Sequence, residues 1–259
     1  FFHYAKHTGN DLFEEYAADL ITAIQSDLHA GMLSDYELGI AGIGAGMEYL
    51  IRQDFLSPGN NNVFVDFDRR MYRLVMHETP ADLTLADGLS GWGRYFVYRL
   101  QGNVRTGSGR LNRALVHILR EIERKMKKGS LNDAEQADIY CFLNDVSALP
   151  EHAEKSAGLL QKCREWENIK HPNAQKLFPR LGHTSVENMA RLYLCRKYFG
   201  IHTDDEITGI LEKATQQPDP EQPSKNAAPE PGLLKGLAGE GLLYLTALHR
   251  DETLWLNLF

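Results

Sequence analysis

Cysteine is scarce in this chain of 259 residues. Only Cys141, Cys163 and Cys195 occur, an odd and sparse set that fits a reducing, cytoplasmic compartment rather than a disulfide framework. Long apolar runs are missing as well. No stretch of about 18 apolar residues is present, so nothing is expected to span a bilayer. Positive charge is in deficit, with 28 Lys and Arg against 35 Asp and Glu and a net charge of −7. The pI is near 5.8. Nucleic acid drops out as a partner on this ground, because meeting phosphates needs a basic surface. The one basic cluster, Arg120 to Lys128, reads as a solvated helix end. Strand signals are nearly absent, since no window rich in Val, Ile and Thr alternates between hairpin turns. No signal peptide is seen either. The sequence starts at Phe1 without Met, inside a helical pattern. A trimmed or disordered N-terminal piece is therefore expected, which leaves a removed export signal open.

What the chain has instead is a glycine motif that returns. It reads GIAGIGAG at Gly39 to Gly46, GLSGWG at Gly88 to Gly93 and GLAGEG at Gly236 to Gly241. Each copy opens an apolar, helix-forming run, so the motif marks the start of a repeated unit rather than a lone phosphate loop. Apolar-aromatic clusters extend the pattern through weaker copies: Phe2-His3-Tyr4, Tyr49-Leu50, Tyr95-Phe96, Tyr140-Cys141-Phe142, Leu192-Tyr193 and Leu243-Tyr244. They lie roughly 46 to 52 residues apart, a period that signals solenoids and toroids, and they imply about six units.

Within a unit, both segments show helical spacing of apolar residues. Leu12, Tyr16, Leu20, Ile21 and Ile24 mark one face in the first unit. Val65, Phe67, Met71, Leu74 and Val75 do so in the second, and Leu111, Leu115, Ile118, Leu119, Ile122 and Met126 in the third. Ser57 to Asn62 and Arg105 to Gly109 read as the turns between paired helices. Gln216 to Gly232 holds five of the ten prolines and reads as a non-helical surface loop. The expectation is an all-α protein, an α/α toroid built as a double ring of helical hairpins. A single domain over 1–259 is expected, with its N-terminal hairpin incomplete.

The glycine motifs, the AKHTGN stretch and the ending GLLKGLAGEGLLYLTAL followed by LWLNL together resemble the lanthionine synthetase C-like family over essentially the whole chain. The resemblance implies an α/α barrel whose inner helices carry the glycine motifs near their starts. Converging helix N-termini would present free N–H groups and positive dipole ends at one mouth, which suits an anion or a thiolate. Active members are similar to zinc enzymes that close thioether rings in peptides. Two cysteines and one histidine hold the metal, which binds a substrate cysteine as thiolate for addition to a dehydrated serine or threonine.

This chain departs from that pattern. The Cys-His-Gly motif falls on Gly182-His183-Thr184, where only the histidine matches. The Trp-Cys-x-Gly motif falls on Leu131-Asn132-Asp133-Ala134, and a histidine that could assist proton transfer falls on Asp87-Gly88. Zinc is therefore not the favoured cofactor, and His183 is the one metal ligand left. The three cysteines read as core packing, and Trp92, Tyr95, Tyr140 and Tyr193 read either as inner-ring core or as a cavity lining that stacks on a sugar or a peptide side chain. His3, His7, His77, His117, His152, His202 and His249 fall in no metal-ligand spacing. Acids collect in the inner loops instead: Asp87, Asp133, Glu135, Glu187 and Glu240. They read either as acid-base groups or as N-terminal helix residues that favour the dipole.

The leading expectation is a protein that binds or modifies a peptide in a central cavity. His183 would be proton donor or residual ligand, with Asp87, Asp133 and Glu187 orienting the substrate. The alternatives are a non-catalytic scaffold for a peptide or another subunit, and a carbohydrate-active α/α toroid with paired carboxylates.

Overall fold

The computed structural model of the protein describes residues 1–29, 31–57, 62–78, 82–102, 108–129, 131–182, 184–216, 233, 237–249 and 254–258. All regular structure among these residues is helical. The helices are α1 (Phe2–Thr8), α2 (Asp11–Asp27), α3 (Ile40–Arg52), α4 (Asn62–His77), α5 (Leu89–Gln101), α6 (Ser108–Lys128), α7 (Asp133–Ser147), α8 (Ala153–Cys163), α9 (Glu167–Lys170), α10 (Ala174–Leu177), α11 (Ser185–Phe199), α12 (Asp204–Gln216) and α13 (Leu237–Leu248). Short 3-10 turns follow at Pro150–His152 and Leu254–Leu258. Packing divides the chain into two compact units, one of Thr22–His171 and one of Phe1–Ile21 with Pro172–Phe259.

The unit of Thr22–His171 has two layers. Helices α3, α5 and α7 lie side by side, each paired with the helix that follows it, and α4 packs on α6 behind them. Hydrogen bonds between loops set the direction of the first layer. Tyr36 and Glu37 N–H donate to the Ala86 carbonyl at 2.8 and 3.2 Å. Leu83 and Leu85 N–H donate to the carboxylates of Glu135 and Asp138 near the start of α7, at 3.2 and 2.7 Å. The starts of α3, α5 and α7 therefore gather at one end, and the three helices run parallel.

Repeated glycines make this close approach possible. A Cβ on Gly42 would overlap the Tyr36 carbonyl, and one on Gly91 would overlap the Leu85 carbonyl. In each case the loop leading into the helix crosses directly over its first turn. Further along, Gly44 of α3 receives the Tyr95 ring of α5, and Gly93 of α5 receives the Phe142 ring of α7. A Cβ at either would sit 2.5 Å from a ring carbon. The same joint is thus built twice, one repeat apart. The second layer follows the expected periodicity: Leu111, Leu115, Ile118, Leu119 and Ile122 of α6 are buried in the core with Phe67, Met71 and Val75 of α4. Each such side chain contributes about 1.5–3 kcal/mol by leaving water. Glu123 ties this layer together, with Lys127 on α6 and with Lys155 and Lys162 on α8 at 3.2, 2.8 and 3.5 Å. Hydrogen bonds from Lys155 and Lys127 hold its carboxyl down at about 2.

In the unit of Phe1–Ile21 and Pro172–Phe259, α11 packs on α10, α12 and α13, and α1 packs against α13. Gly9 and Gly200 end α1 and α11 at φ of 65° and 64°, the left-handed turn that glycine adopts without strain. Gly239 repeats the motif's close approach, since a Cβ there would overlap the Leu233 carbonyl. Ring contacts hold α1 on α2, with Phe1–Tyr16 centroids at 4.9 Å and Tyr4–Phe13 at 4.5 Å.

Two expectations of burial fail. Leu12, Tyr16, Leu20 and Ile24 of α2 are exposed, as is Val65 of α4. In α2 the buried residue is Ala17, so the helix rests on a narrower edge than its apolar stripe suggested. Helix α6 begins at Ser108, which takes Ser108 and Gly109 out of the expected turn. Asn62 of the other expected turn opens α4, while residues 58–61, 105–107 and 217–232, which hold most of both turns and nearly all of the Pro-rich segment, lie outside the described residues. Gln216 is the last residue of α12.

Candidate functional site

The positions singled out in the sequence fall at helix starts. Gly39, Gly88, Asn132 and Thr184 are the N-caps of α3, α5, α7 and α11. Where glycine stands, the incoming loop folds over the first turn. Where Asn132 and Thr184 stand, a capping box does the work, with a side-chain oxygen and a carboxylate satisfying two free N–H groups reciprocally. Asn132 accepts from Glu135 N–H at 3.0 Å while Glu135 accepts from Asn132 N–H at 3.1 Å. Thr184 accepts from Glu187 N–H at 3.1 Å while Glu187 accepts from Thr184 N–H at 2.9 Å.

This arrangement sorts the acids. Glu187 is fully buried and supplies the reciprocal half of the capping box that fixes the start of α11. Glu135 is buried and doubly engaged, capping α7 with one oxygen and receiving Leu83 N–H with the other. Asp87 and Asp133 are exposed, the first just before the N-cap of α5 and the second at the first residue of α7. Glu240, in the first turn of α13, is exposed too. His183 lies outside the described residues. Asp87 and Asp133 belong to the same unit, at the starts of two neighbouring parallel helices that are tied together.

Zinc does not fit the donor set. The two positions matched to thiolate ligands hold Gly182, which has no side chain, and Asn132, whose side chain is engaged as a cap. Cys141, Cys163 and Cys195 are all buried, and none of them is in a disulfide. Burial pushes the Cys163 thiol up to about 12 and the Cys195 thiol up to about 11, away from the thiolate form a metal needs. Among the described residues no group of three or more His, Cys, Asp or Glu side chains could hold a metal ion. Trp92 and Tyr95 are core residues as expected, whereas Tyr140 and Tyr193 are only partly buried.

Two buried arginines were not read from the sequence, although their signal was there: Arg94 and Arg99 interrupt the apolar and aromatic run of α5. Arg94 lies 3.4 Å from Asp145 of α7, with its guanidinium 5.9 Å from the ring centre of Tyr36. Burial pushes the Tyr36 phenol up, with Arg94 pulling the other way. Arg99 joins three helices. It meets Glu48 of α3 at 2.6 Å and Asp68 of α4 at 3.1 Å, and its guanidinium stacks 3.9 Å from the Phe64 ring centre. The Tyr95 hydroxyl donates to the same Asp68. Burial raises the Glu48 carboxyl against the opposing pull of Arg99. Gly102 completes the clasp, since a Cβ there would overlap a Glu48 oxygen.

Fold and site together define an all-helical, repeat-like protein with tethered helix starts. No helix among the described residues is long and apolar enough to cross a membrane. No family model matches the chain, and neither curated proteins nor solved structures give a significant match.

Proposed function

We propose that this chain is a lanthionine synthetase C-like α/α toroid that engages a peptide at the N-terminal ends of its inner helices without running zinc chemistry. One observation carries the reading. The starts of α5 and α7 are held at one end by hydrogen bonds from Leu83 and Leu85 N–H to Glu135 and Asp138, and that scaffold leaves Asp87, just before the N-cap of α5, and Asp133, the first residue of α7, exposed. A rigid backbone with exposed carboxylates suits orientation of a peptide's amide or cationic groups. The same glycine approach at Gly42, Gly91 and Gly239 supports a repeated helical unit. Glu187 fixes the start of α11, and His183 is a candidate proton donor.

The test is a display selection with random 12-residue peptides on the intact protein, followed by affinity measurements on Asp87→Lys and Asp133→Lys variants. Enriched peptides are expected to lose about tenfold in affinity, roughly 1.4 kcal/mol, when either charge is reversed. No enrichment, or peptides indifferent to both variants, would sink the reading. Zinc content by mass spectrometry, compared with His183→Ala, tests the rest. About one zinc per chain that disappears in the variant would restore the metal mechanism.

A further inference from the structure

Helix α2 carries an apolar face that stays exposed over its first three turns, Asp11 to Ile21, which belong to the unit of Phe1–Ile21 and Pro172–Phe259. Leu12, Tyr16 and Leu20 recur at every fourth position, a single stripe along the helix. Leu12 is 71% and Tyr16 51% exposed, while the residue that seats the helix is Ala17. Exposed Phe1, the N-cap of α1, and Tyr4 within it widen the patch at one end, through the ring contacts with Tyr16 and Phe13. Scattered single apolar residues need no explanation on a surface, but a continuous stripe of this kind marks a place where something docks.

The charges beside the stripe name the occupant. Helix α2 carries Asp11, Glu14, Glu15, Asp19 and Asp27, and its sequence contains no lysine, arginine or histidine. Glu15 and Asp19 fall alongside Leu12 and Tyr16 at helical spacing, and both are exposed. A second copy of this helix would bring acid against acid, which costs affinity through like-charge repulsion. An amphipathic helix with aliphatic residues on one face and lysine or arginine along the edges matches both features. We infer that α2 is a docking face for a basic amphipathic helix of a partner protein. It shares no residue with the helix starts proposed to engage a peptide.

The stripe from Leu12 to Leu20 is about 12 Å long at 1.5 Å per residue. A contact of that size sits at the weak, transient end of interfaces, so a dissociation constant on the order of 10 μM is expected. The probe is a synthetic 18-residue helix with leucine at every third or fourth position and lysine flanking them, titrated by fluorescence anisotropy against the intact chain. A Leu12→Glu/Leu20→Glu double variant is expected to bind at least about tenfold more weakly, and Asp19→Lys several-fold more weakly, at low salt. Raising the salt should weaken the wild-type complex. Because these side chains are exposed, unchanged far-UV circular dichroism is expected and confirms that the variants fold.

A scrambled peptide of identical composition separates docking from simple charge attraction. If it binds as well as the patterned one, or if the double variant binds unchanged, the inference is overturned. Sedimentation of the chain alone tests the other occupant. A dimer that disappears in the double variant would show that a second copy covers α2, and would equally overturn the inference.

Discussion

Replacing Gly91 by alanine should damage this protein more than its single methyl group suggests. The new Cβ would overlap the Leu85 carbonyl and approach the Tyr36 Cβ to 2.8 Å. Neither neighbour is the free end of a flexible side chain, so the loop at 82–88 has to lift. Lifting it pulls Leu83 N–H from Glu135 and Leu85 N–H from Asp138. Each bond lost in a buried place costs about 1–3 kcal/mol, and overpacking costs a similar about 1–3 kcal/mol. Against this, alanine gains about 1 kcal/mol of helix propensity over glycine. With about 1 kcal/mol for each of the two bonds and about 2 kcal/mol for overpacking, the net loss comes to about 3 kcal/mol. Gly158 is the matched control: it lies inside α8 of the same unit, and a Cβ there meets nothing within 4 Å. Gly158→Ala should stabilise by about 0.5–1 kcal/mol. Urea unfolding followed by circular dichroism reads both. With a slope of about 2 kcal/mol per molar, Gly91→Ala lowers the midpoint by about 1.5 M while Gly158→Ala raises it slightly. Equal behaviour of the two variants would refute the view that the motif glycines exist for close backbone approach.

Three further outcomes are expected. Arg99→Met leaves Glu48 buried without its partner and should cost about 3–5 kcal/mol, whereas a Glu48→Gln/Arg99→Met pair should recover much of that loss in a double-mutant cycle. His152 is buried with its Nε2 2.7 Å from Asn112 Oδ1, and burial lowers its pKa from 6.5. The unfolded chain then binds the proton first, so stability should fall as pH drops through 6.5 toward the lowered folded value. In His152→Gln that slope should flatten. Thr184→Ala removes the cap of α11 and should cost about 1 kcal/mol, read as a lower midpoint in thermal unfolding.

Much of the candidate site was legible as position and little of it as role. Gly88 stood out through the recurring glycine motif, while Asn132 and Thr184 lay in the stretches matched by the resemblance, and all three fall at the N-caps of their helices. The acids next to them looked alike in sequence. Burial separates them, since Glu135 and Glu187 turn inward to free N–H groups while Asp87 and Asp133 remain exposed. A linear pattern carries no information about which way a carboxylate at a helix start will turn.

The sequence by itself determined that this is a helical protein, that its units return roughly every 46 to 52 residues, and that α6 buries Leu111, Leu115, Ile118, Leu119 and Ile122. Periodicity carries that much because it reports a helix's own faces, and glycine spacing survives because it is local. Only the tertiary structure decided that the equally periodic stripe of α2 stays exposed, that Gly42 and Gly91 sit under loop carbonyls, and that Glu48, Asp68 and Arg99 meet in one clasp. The physical reason is common to all three: a face is buried, a methyl excluded or a charge paired by a neighbour distant in the chain, and spacing along one helix does not reveal who that neighbour is.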